Sequence, residues 1–373
     1  MMHPTGVIDN ARALLQQHMA ACMGGAERRG AVQIDETIDA IELYYAQGWT
    51  DGLPVVPPTR DKVQAMVERS GRAASDLVAE LPPQGGKATV ERIATNAVMA
   101  GCVPEYMPVV LTAIEAMLET RFNLRGVLCS THVSTPLLIL NGPIVTALHV
   151  NSGHNVFGPG WRANATIGRA VQLTLVNIGG AQPGVLDKAT FGHPGKYTYC
   201  IAENEAASPW EPLHVERGFQ RDDSTVTVYP AEAPHNINNH GSQNARDLLT
   251  VVADCMAILG SNHLYLGGEC CLVFSPEHAA TIAASGWHKQ DIRAFLYEHA
   301  RQPVRLLRVG GMYGTETHRN LWPRWVDHDD QEALVPPVRR AEDISILVAG
   351  GAGKHSVFLP GWGSRSVTRK IPL

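Results

Sequence analysis

The sequence has 373 residues, of which 45% are hydrophobic and 18% are charged, so the chain can bury one large core or two medium ones. Its formal net charge is -5 and it contains no run of Lys or Arg. It therefore lacks the positive charge with which proteins bind nucleic acids or membrane surfaces nonspecifically. No apolar run approaches the roughly 20 residues that a membrane helix needs. We therefore expect small-molecule or protein partners.

The cysteine content and the N-terminal segment both indicate the cytoplasm. The seven cysteines are odd in number, are scattered along the chain and form no C-x-x-C pair, a pattern typical of reduced thiols. Residues 1–25 lack the cationic region of a signal peptide, and Gln16, Gln17 and His18 interrupt their apolar residues. The sequence therefore predicts a cytoplasmic protein.

The chain divides into a peripheral N-terminal arm, residues 1–34, and a single α/β catalytic domain, residues 35–373. Helical spacing and capping residues predict helices over 35–46, 59–69, 89–99, 104–119, 162–177, 245–259 and 288–301. Short apolar runs predict strands over 124–129, 137–140, 263–266, 270–274 and 344–349. Two further short helices are expected to end at the Ser-Gly pairs 152–153 and 285–286.

These elements suggest an internal duplication. A helix–strand–strand–helix–helix unit occurs at about 104–180 and again at 242–301, and the halves would pack as one compact body. The two units share identical residues at equivalent positions: Pro143 and Pro276, Ala147 and Ala280, Ser152 and Ser285, Gly153 and Gly286. The alternative is that Pro at helix starts and Gly at helix ends recur in any α/β protein.

A Gly-rich loop opens the helix predicted at 162–177. Its candidate substrate-binding residues are Asn155, Gly158, Gly160, Arg162 and Asn164, because backbone N–H groups at a helix start beside an Arg suit a carboxylate or phosphate. The loop also fits a loose dinucleotide fingerprint. No good strand precedes it and no acidic residue follows about 20 residues on, so no nucleotide cofactor is expected. A purely structural turn is the alternative.

The stretch 191–219 concentrates the ionisable side chains. On an extended backbone His214 and Glu216 face one side, and Glu203 and Glu205 have the same spacing. Two carboxylates on one face repel each other, which raises the pKa of one and makes it a candidate general acid or base. The alternative is that the two carboxylates form salt bridges with Lys196, Arg217 or Arg221.

Three more residues of this stretch are candidates. Cys200 is a candidate catalytic nucleophile if a neighbouring cation lowers the pKa of its thiol, and otherwise a buried strand residue. Lys196 and Tyr197 are candidate substrate-binding residues. The same short span thus offers groups for proton transfer, for nucleophilic attack and for binding.

A third polar segment precedes the helix predicted at 245–259. His235 and His240 are candidate ligands of a divalent metal, because neutral imidazole is the commonest metal ligand, although their spacing matches no zinc signature. Asn236 is a candidate substrate-binding residue. Acid–base work, substrate hydrogen bonding and loop capping are the alternatives for this segment.

Several phrases resemble a family of bacterial proteins related to UGSC-type (seleno)proteins. They include DGLPVVPPT at 51–59, GPGWRANATIGRA at 158–170 and GKYTYCIAENEAASPWEPLHVERGF at 195–219, and the resemblance runs from about residue 48 to the end. It implies one coherent enzyme-like family with a thiol-redox link. The Cys-Gly-Ser-Cys motif itself is absent from this chain.

Together these patterns predict an enzyme acting on a small polar or anionic substrate by Glu/His acid–base chemistry, with or without a metal. A lyase or hydratase, or a hydrolase, is the simplest class. One alternative is a thiol-redox-linked enzyme or a partner subunit of a thiol protein, and another is a non-catalytic ligand-binding module. We expect a homo-oligomer, with the three polar segments meeting in one pocket between the two halves.

Overall fold

The computed structural model describes residues 40–309 and 325–372, so the predicted N-terminal arm lies outside the described residues. The elements of the first half are α1 (Ala40–Ala46), α2 (Arg60–Ser70), β1 (Leu77–Leu81), β2 (Gly86–Thr89), α3 (Val90–Ala100), α4 (Met107–Met117), α5 (Leu124–Leu128), β3 (Thr135–Asn141), α6 (Ile144–Ala147), α7 (Arg162–Asn177), β4 (Cys200–Ala202), α8 (Leu213–Glu216) and β5 (Thr225–Ala231). The fold class is α/β, as predicted.

The second half uses the same kinds of element. They are β6 (His235–Asn238), α9 (Ala245–Met256), α10 (Asn262–Leu266), β7 (Cys270–Phe274), α11 (Pro276–Ala284), α12 (Lys289–His299), β8 (Gln302–Pro303), α13 (Val304–Val309), β9 (Leu334–Val335), β10 (Ile344–Val348), β11 (His355–Leu359) and β12 (Val367–Lys370). Within the described ranges, no helix is both long and apolar enough to cross a membrane.

Two four-stranded sheets form the centre, and they have equivalent topologies. In the first sheet the order is β4-β3-β5-β12, with β3 parallel to β4 and antiparallel to β5. In the second the order is β10-β7-β11-β6, with β7 parallel to β10 and antiparallel to β11. Two strands pair away from their neighbours in the chain: β6 follows β5 of the first sheet but pairs in the second, and β12 follows β11 of the second sheet but pairs in the first.

The two sheets pack face to face, with helices on their outer faces. Successive side chains of a strand point to opposite faces, so Ile139 and Val273 share one core cluster between the sheets. Their neighbours Leu138 and Leu272 belong to two other clusters, formed with helices of the first half and of the second half respectively. The body therefore has four layers, helix–sheet–sheet–helix, as expected for elements that each bury an apolar face.

The order of elements differs from the predicted unit at one place, and in both halves alike. Residues 124–129 and 263–266, predicted as strands, form the short helices α5 and α10. The Asn123 side chain accepts a hydrogen bond from the backbone N–H of Gly126, which caps the first of them. Short apolar runs do not distinguish a strand from a buried helix, so the pattern alone misassigned both. Each half thus reads helix–helix–strand–helix–helix.

A close backbone approach brings α7 against the segment that precedes β4. A Cβ atom added to Gly168 would lie 2.5 Å from Oγ1 of Thr198 and 2.6 Å from the backbone nitrogen of Tyr199. The Thr198 hydroxyl donates to the carbonyl of Ala165, 2.7 Å away, in the same contact. Because Gly168 has no side chain, this helix can pack closely beside the first sheet.

We expect Gly168→Ala to lower the free energy of unfolding by about 1–3 kcal/mol, because overpacking outweighs the better helix propensity of Ala. Urea unfolding would measure it. The matched control is Gly241→Ala, where an added Cβ meets no atom within 4 Å, and its stability should stay close to that of the unmodified protein. Equal stability of both variants would contradict the close approach.

Candidate functional site

The stretch 191–219 does not form one site, because β4 divides it. Lys196 and Tyr197 precede the strand and line a cavity of about 500 Å³. Glu203, Glu205 and His214 follow the strand, where the carboxyl ends of the parallel strands β3 and β4 lie side by side. The predicted pocket therefore cannot contain the whole of this stretch.

At the carboxyl ends of these strands, four residues form a group that we call the carboxylate cluster: Asn141, Glu203, Glu205 and His214. The side-chain nitrogen of Asn141, the last residue of β3, donates to Oε2 of Glu203 at 2.6 Å and to Oε1 of Glu205 at 3.0 Å. One amide thus holds both carboxylates. Side chains at the carboxyl ends of neighbouring parallel strands are well placed to form a site.

Backbone groups complete the positioning of the two carboxylates. The N–H of Leu213 donates to Oε2 of Glu203 at 2.8 Å, and the N–H of Gly142 donates to Oε1 of Glu205 at 2.7 Å. Gly142 has a φ of 81°, and an added Cβ would overlap the Asp223 carbonyl, so only glycine fits this turn. The N–H of Asn204 donates to the Val348 carbonyl at 2.7 Å, which anchors the segment between the carboxylates to the second sheet.

His214 is completely buried and faces Glu205. Its Nε2 lies 3.4 Å from the carbonyl oxygen of Arg221, which can only accept, so Nε2 carries a hydrogen. Nδ1 lies 3.8 Å from Oε1 of Glu205 and has no hydrogen-bond partner. A neutral ring and an ionised carboxylate would place two acceptors face to face. The arrangement therefore calls for a proton, or a donor from another molecule, between them.

Glu203 is the least solvated carboxyl of the cluster, with 2% of its surface exposed. Burial raises its pKa, and the negative charge of Glu205 adds to the rise, while Lys289 and the donors Leu213 and Asn141 oppose it. Oε2 receives both donors, and Oε1 has no partner. A proton on Glu203 is therefore expected on Oε1.

Three buried polar atoms of the cluster lack hydrogen-bond partners within the described residues: Oδ1 of Asn141, Oε1 of Glu203 and Nδ1 of His214. Buried polar groups are normally satisfied, and each exception calls for an explanation. Three exceptions in one cluster are typical of a place where a water or a ligand atom supplies the missing bonds. Glu205, with 22% of its side chain exposed, connects the cluster to solvent.

Glu216 does not share a face with His214, as an extended backbone would require. Both lie on the single turn of α8, where residues two apart point in different directions. The Glu216 carboxylate pairs with Nζ of Lys289 at 2.7 Å and with Nη1 of Arg293 at 3.0 Å. These salt bridges have their partners on α12.

The thiol of Cys200 is buried, and burial raises its pKa. Cys200 packs into the core cluster on the helix side of the first sheet, so its environment is that of a buried strand residue. Burial raises the pKa of Cys102 to about 12 as well. Neither environment favours the thiolate that a nucleophile needs.

The Gly-rich loop uses its polar groups within the chain. Nε and Nη2 of the exposed Arg162 donate to the carbonyl of Gly101 at 3.0 and 2.8 Å. The exposed Asn155 donates to the Pro159 carbonyl at 3.1 Å. Gly158 and Gly160 lie in the turn between them, and Gly160 has a φ of 122°. Asn164 is buried and bonded to backbone groups on both sides of the loop.

His235, Asn236 and His240 lie apart from the carboxylate cluster. They are exposed, the first two on the edge strand β6 and the third just beyond it. The ring of His240 meets that of His355 edge-on, with 5.2 Å between centroids. Among the described residues, no group of three or more His, Cys, Asp or Glu side chains is arranged to hold a metal ion.

Sequence reasoning missed Asn141, which binds both carboxylates. It directly follows the predicted strand 137–140 and begins the Asn-Gly-Pro turn, and a polar residue at the end of a buried strand is the signal that could have identified it. Fold and cluster together define an α/β protein with a buried carboxylate–imidazole centre.

No family model matches the chain, and no curated protein matches it. The resemblance to the UGSC-type family therefore stays a prediction.

Proposed function

We propose that the protein is an enzyme whose acid–base centre is the carboxylate cluster, acting on a small polar or anionic substrate. One observation carries the proposal: Nδ1 of His214 and Oε1 of Glu205 face each other at 3.8 Å, and no group of the described residues donates a hydrogen bond to Nδ1. A substrate hydrogen or a transferable proton would satisfy both groups. Glu203 stands beside them with a raised pKa and one free oxygen.

The roles follow from the hydrogen bonds. Glu203 in its protonated form is the general acid, with the proton on Oε1, because its other oxygen accepts from Asn141 and Leu213. His214, with a lone pair on Nδ1, is the general base. Glu205, whose Oε1 faces Nδ1, stabilises the imidazolium that forms when Nδ1 accepts the proton.

An acid and a base in one buried cluster suit elimination and addition of water. The base takes a proton from the substrate carbon, the carbon–oxygen bond breaks, and the acid protonates the departing hydroxyl to give water. No covalent nucleophile is needed, which agrees with the burial of Cys200. The cluster therefore supports a lyase or hydratase better than a hydrolase that forms a covalent enzyme intermediate.

The test is turnover of a panel of small hydroxy acids and unsaturated acids, followed by proton NMR in D₂O to detect exchange, dehydration and hydration. We expect His214→Gln and Glu205→Gln to lower the rate by roughly 10²–10⁴-fold, the usual contribution of a positioned acid or base. The matched control is Glu216→Gln, because it makes the same chemical change in a salt bridge outside the cluster. Unchanged rates in the two cluster variants would contradict the proposal.

A further inference from the structure

A cavity lies at the other end of β3 from the carboxylate cluster. It has a volume of about 500 Å³ and includes Ser134 and Thr135, at the start of that strand, in its lining. The strand has seven residues, so the two places are separated by roughly 20 Å. A cavity of this size accommodates a small organic molecule. No step of the acid–base proposal uses it.

The charged groups that line the cavity are already paired. Nζ of Lys196 contacts Oδ2 of Asp187 at 2.6 Å. Asp51 forms two hydrogen bonds of 2.7 Å with the guanidinium of Arg169. Burial lowers the pKa of His193 to about 4, with a smaller contribution from the charge of Lys196, so this imidazole is neutral at pH 7. A charged ligand would therefore find no unpaired counter-ion in the lining.

The buried part of the lining offers neutral hydrogen-bonding groups. Nε2 of Gln172 donates to Oγ1 of Thr135 at 2.8 Å, and its amide oxygen accepts no hydrogen bond from the described part of the chain. Thr135 accepts that bond, so its own hydroxyl hydrogen remains available. The hydroxyl of Ser134 is buried and has no partner in the described residues. The cavity can thus both accept from and donate to an uncharged polar group.

Two aromatic side chains border the same cavity. Phe191 is 91% exposed and Tyr197 is 48% exposed, although both are large and apolar. Aromatic rings held at the entrance of a cavity can stack on a flat ligand and shield it from water. Leu128, Leu175 and Val176 supply apolar surface inside. Apolar walls with a few convergent polar groups are characteristic of small-molecule sites.

We propose that this cavity is a second ligand site, specific for an uncharged, flat molecule that carries an amide-like donor and acceptor, such as an aromatic carboxamide. Because the charged groups of the lining are already paired, an ionic ligand is disfavoured. The polar groups of Gln172, Thr135 and Ser134 can form hydrogen bonds with an amide, and the two aromatic side chains can stack on a ring. The site is independent of the acid–base centre, so either proposal can fail without the other.

The test is calorimetric or saturation-transfer NMR titration of the full chain with benzamide, benzoate and benzylammonium, three probes of similar size and different charge. We expect saturable benzamide binding in the millimolar range and at least about tenfold weaker binding of both ions, because burying an unpaired charge is costly. Benzoate or benzylammonium binding as tightly as benzamide would overturn the proposal. So would the lack of saturable benzamide binding up to about 10 mM.

Single-residue variants test whether benzamide binds in this cavity. Tyr197→Ala should weaken benzamide binding about three- to tenfold, the usual worth of one aromatic contact, and Tyr197→Phe should keep it. Ala189→Trp should abolish binding, because the indole would fill a cavity that Ala189 lines. Trp161→Ala, which removes an exposed aromatic ring outside the cavity, serves as the control and should leave the affinity unchanged. Equal affinity of Ala189→Trp and the unmodified protein would overturn the assignment.

Discussion

Glu203→Gln is expected to abolish turnover and at the same time to raise the free energy of unfolding at pH 7 by about 1–3 kcal/mol. The carbonyl oxygen of Gln can accept the two hydrogen bonds that Asn141 and Leu213 now give to Oε2. Its amide nitrogen takes the position of Oε1, which has no partner among the described residues. The variant therefore keeps the hydrogen bonds and removes the cost of protonating this carboxyl when the chain folds near neutral pH.

The stability gain should depend on pH in one direction. The pKa of Glu203 is raised above its ordinary value of 4.5 in the folded protein, so the folded state binds this proton more tightly than the unfolded state. The stability that this proton provides is fully present below pH 4.5 and is lost as the pH rises through the folded pKa. The advantage of Glu203→Gln should therefore be absent below that pH and grow toward neutrality. Urea unfolding at a series of pH values would measure it.

Glu216→Gln is the matched control, with the opposite sign expected. Its carboxylate compensates the buried charge of Lys289 and also pairs with Arg293, so neutralising it should cost about 1–3 kcal/mol at pH 7. A Glu203→Gln variant that is less stable than the unmodified protein at pH 7 would contradict the raised pKa. A stable Glu203→Gln variant with full turnover would contradict the catalytic role.

How far the sequence predicts the fold is clear from particular elements. Helix caps and 3.6-residue spacing located α2, α3, α7 and α11, and apolar runs located β3, β7 and β10. The strand β5 was missed although its alternation of Thr and Val is a strand signal. The exchange of β6 and β12 between the sheets could not be predicted, because strand pairing between distant segments is set by tertiary packing and not by local pattern.

The sequence likewise predicted some features of the candidate site and not others. Local clustering of ionisable residues located Glu203, Glu205 and His214. The raised pKa of Glu203 is caused mainly by burial, and the repulsion by Glu205 on which the sequence argument relied contributes less. Asn141 lies 62 residues before Glu203 in the chain, so no spacing rule connects them. The predicted common face of His214 and Glu216 failed because a proline starts a single helical turn just before them, at Pro212. The sequence therefore predicted which residues belong to the site better than it predicted how their side chains are arranged.

Asn164→Ala is expected to be one of the most destabilising single changes in the chain, although the sequence suggested a substrate-binding role for Asn164. Oδ1 of the buried Asn164 accepts from the N–H of Asn151 at 2.8 Å. Its Nδ2 donates to the carbonyls of Asn151 and Cys200 at 3.0 and 3.2 Å. The side chain thus connects the loop before α7 to β4, immediately before the segment that carries Glu203.

Truncation would leave these backbone groups buried without that partner, and each unsatisfied group costs about 1–3 kcal/mol. We expect Asn164→Ala to lower the free energy of unfolding by about 3–5 kcal/mol, measured by urea unfolding. Asn164→Asp should be at least as destabilising, because a carboxylate can accept from Asn151 but cannot donate to the two carbonyls. Both effects should be present without any ligand, which a residue that only contacts substrate would not produce.

Asn155→Gly is the control within the same loop. Asn155 is exposed and has a φ of 59°, a conformation that glycine adopts without strain, so this variant should change stability by less than about 1 kcal/mol. If Asn164→Ala proved as stable as Asn155→Gly and instead weakened substrate turnover alone, Asn164 would be a substrate-binding residue. The expected pattern, a large loss of stability at Asn164 and almost none at Asn155, follows from burial, since only the buried amide leaves backbone groups that water cannot reach.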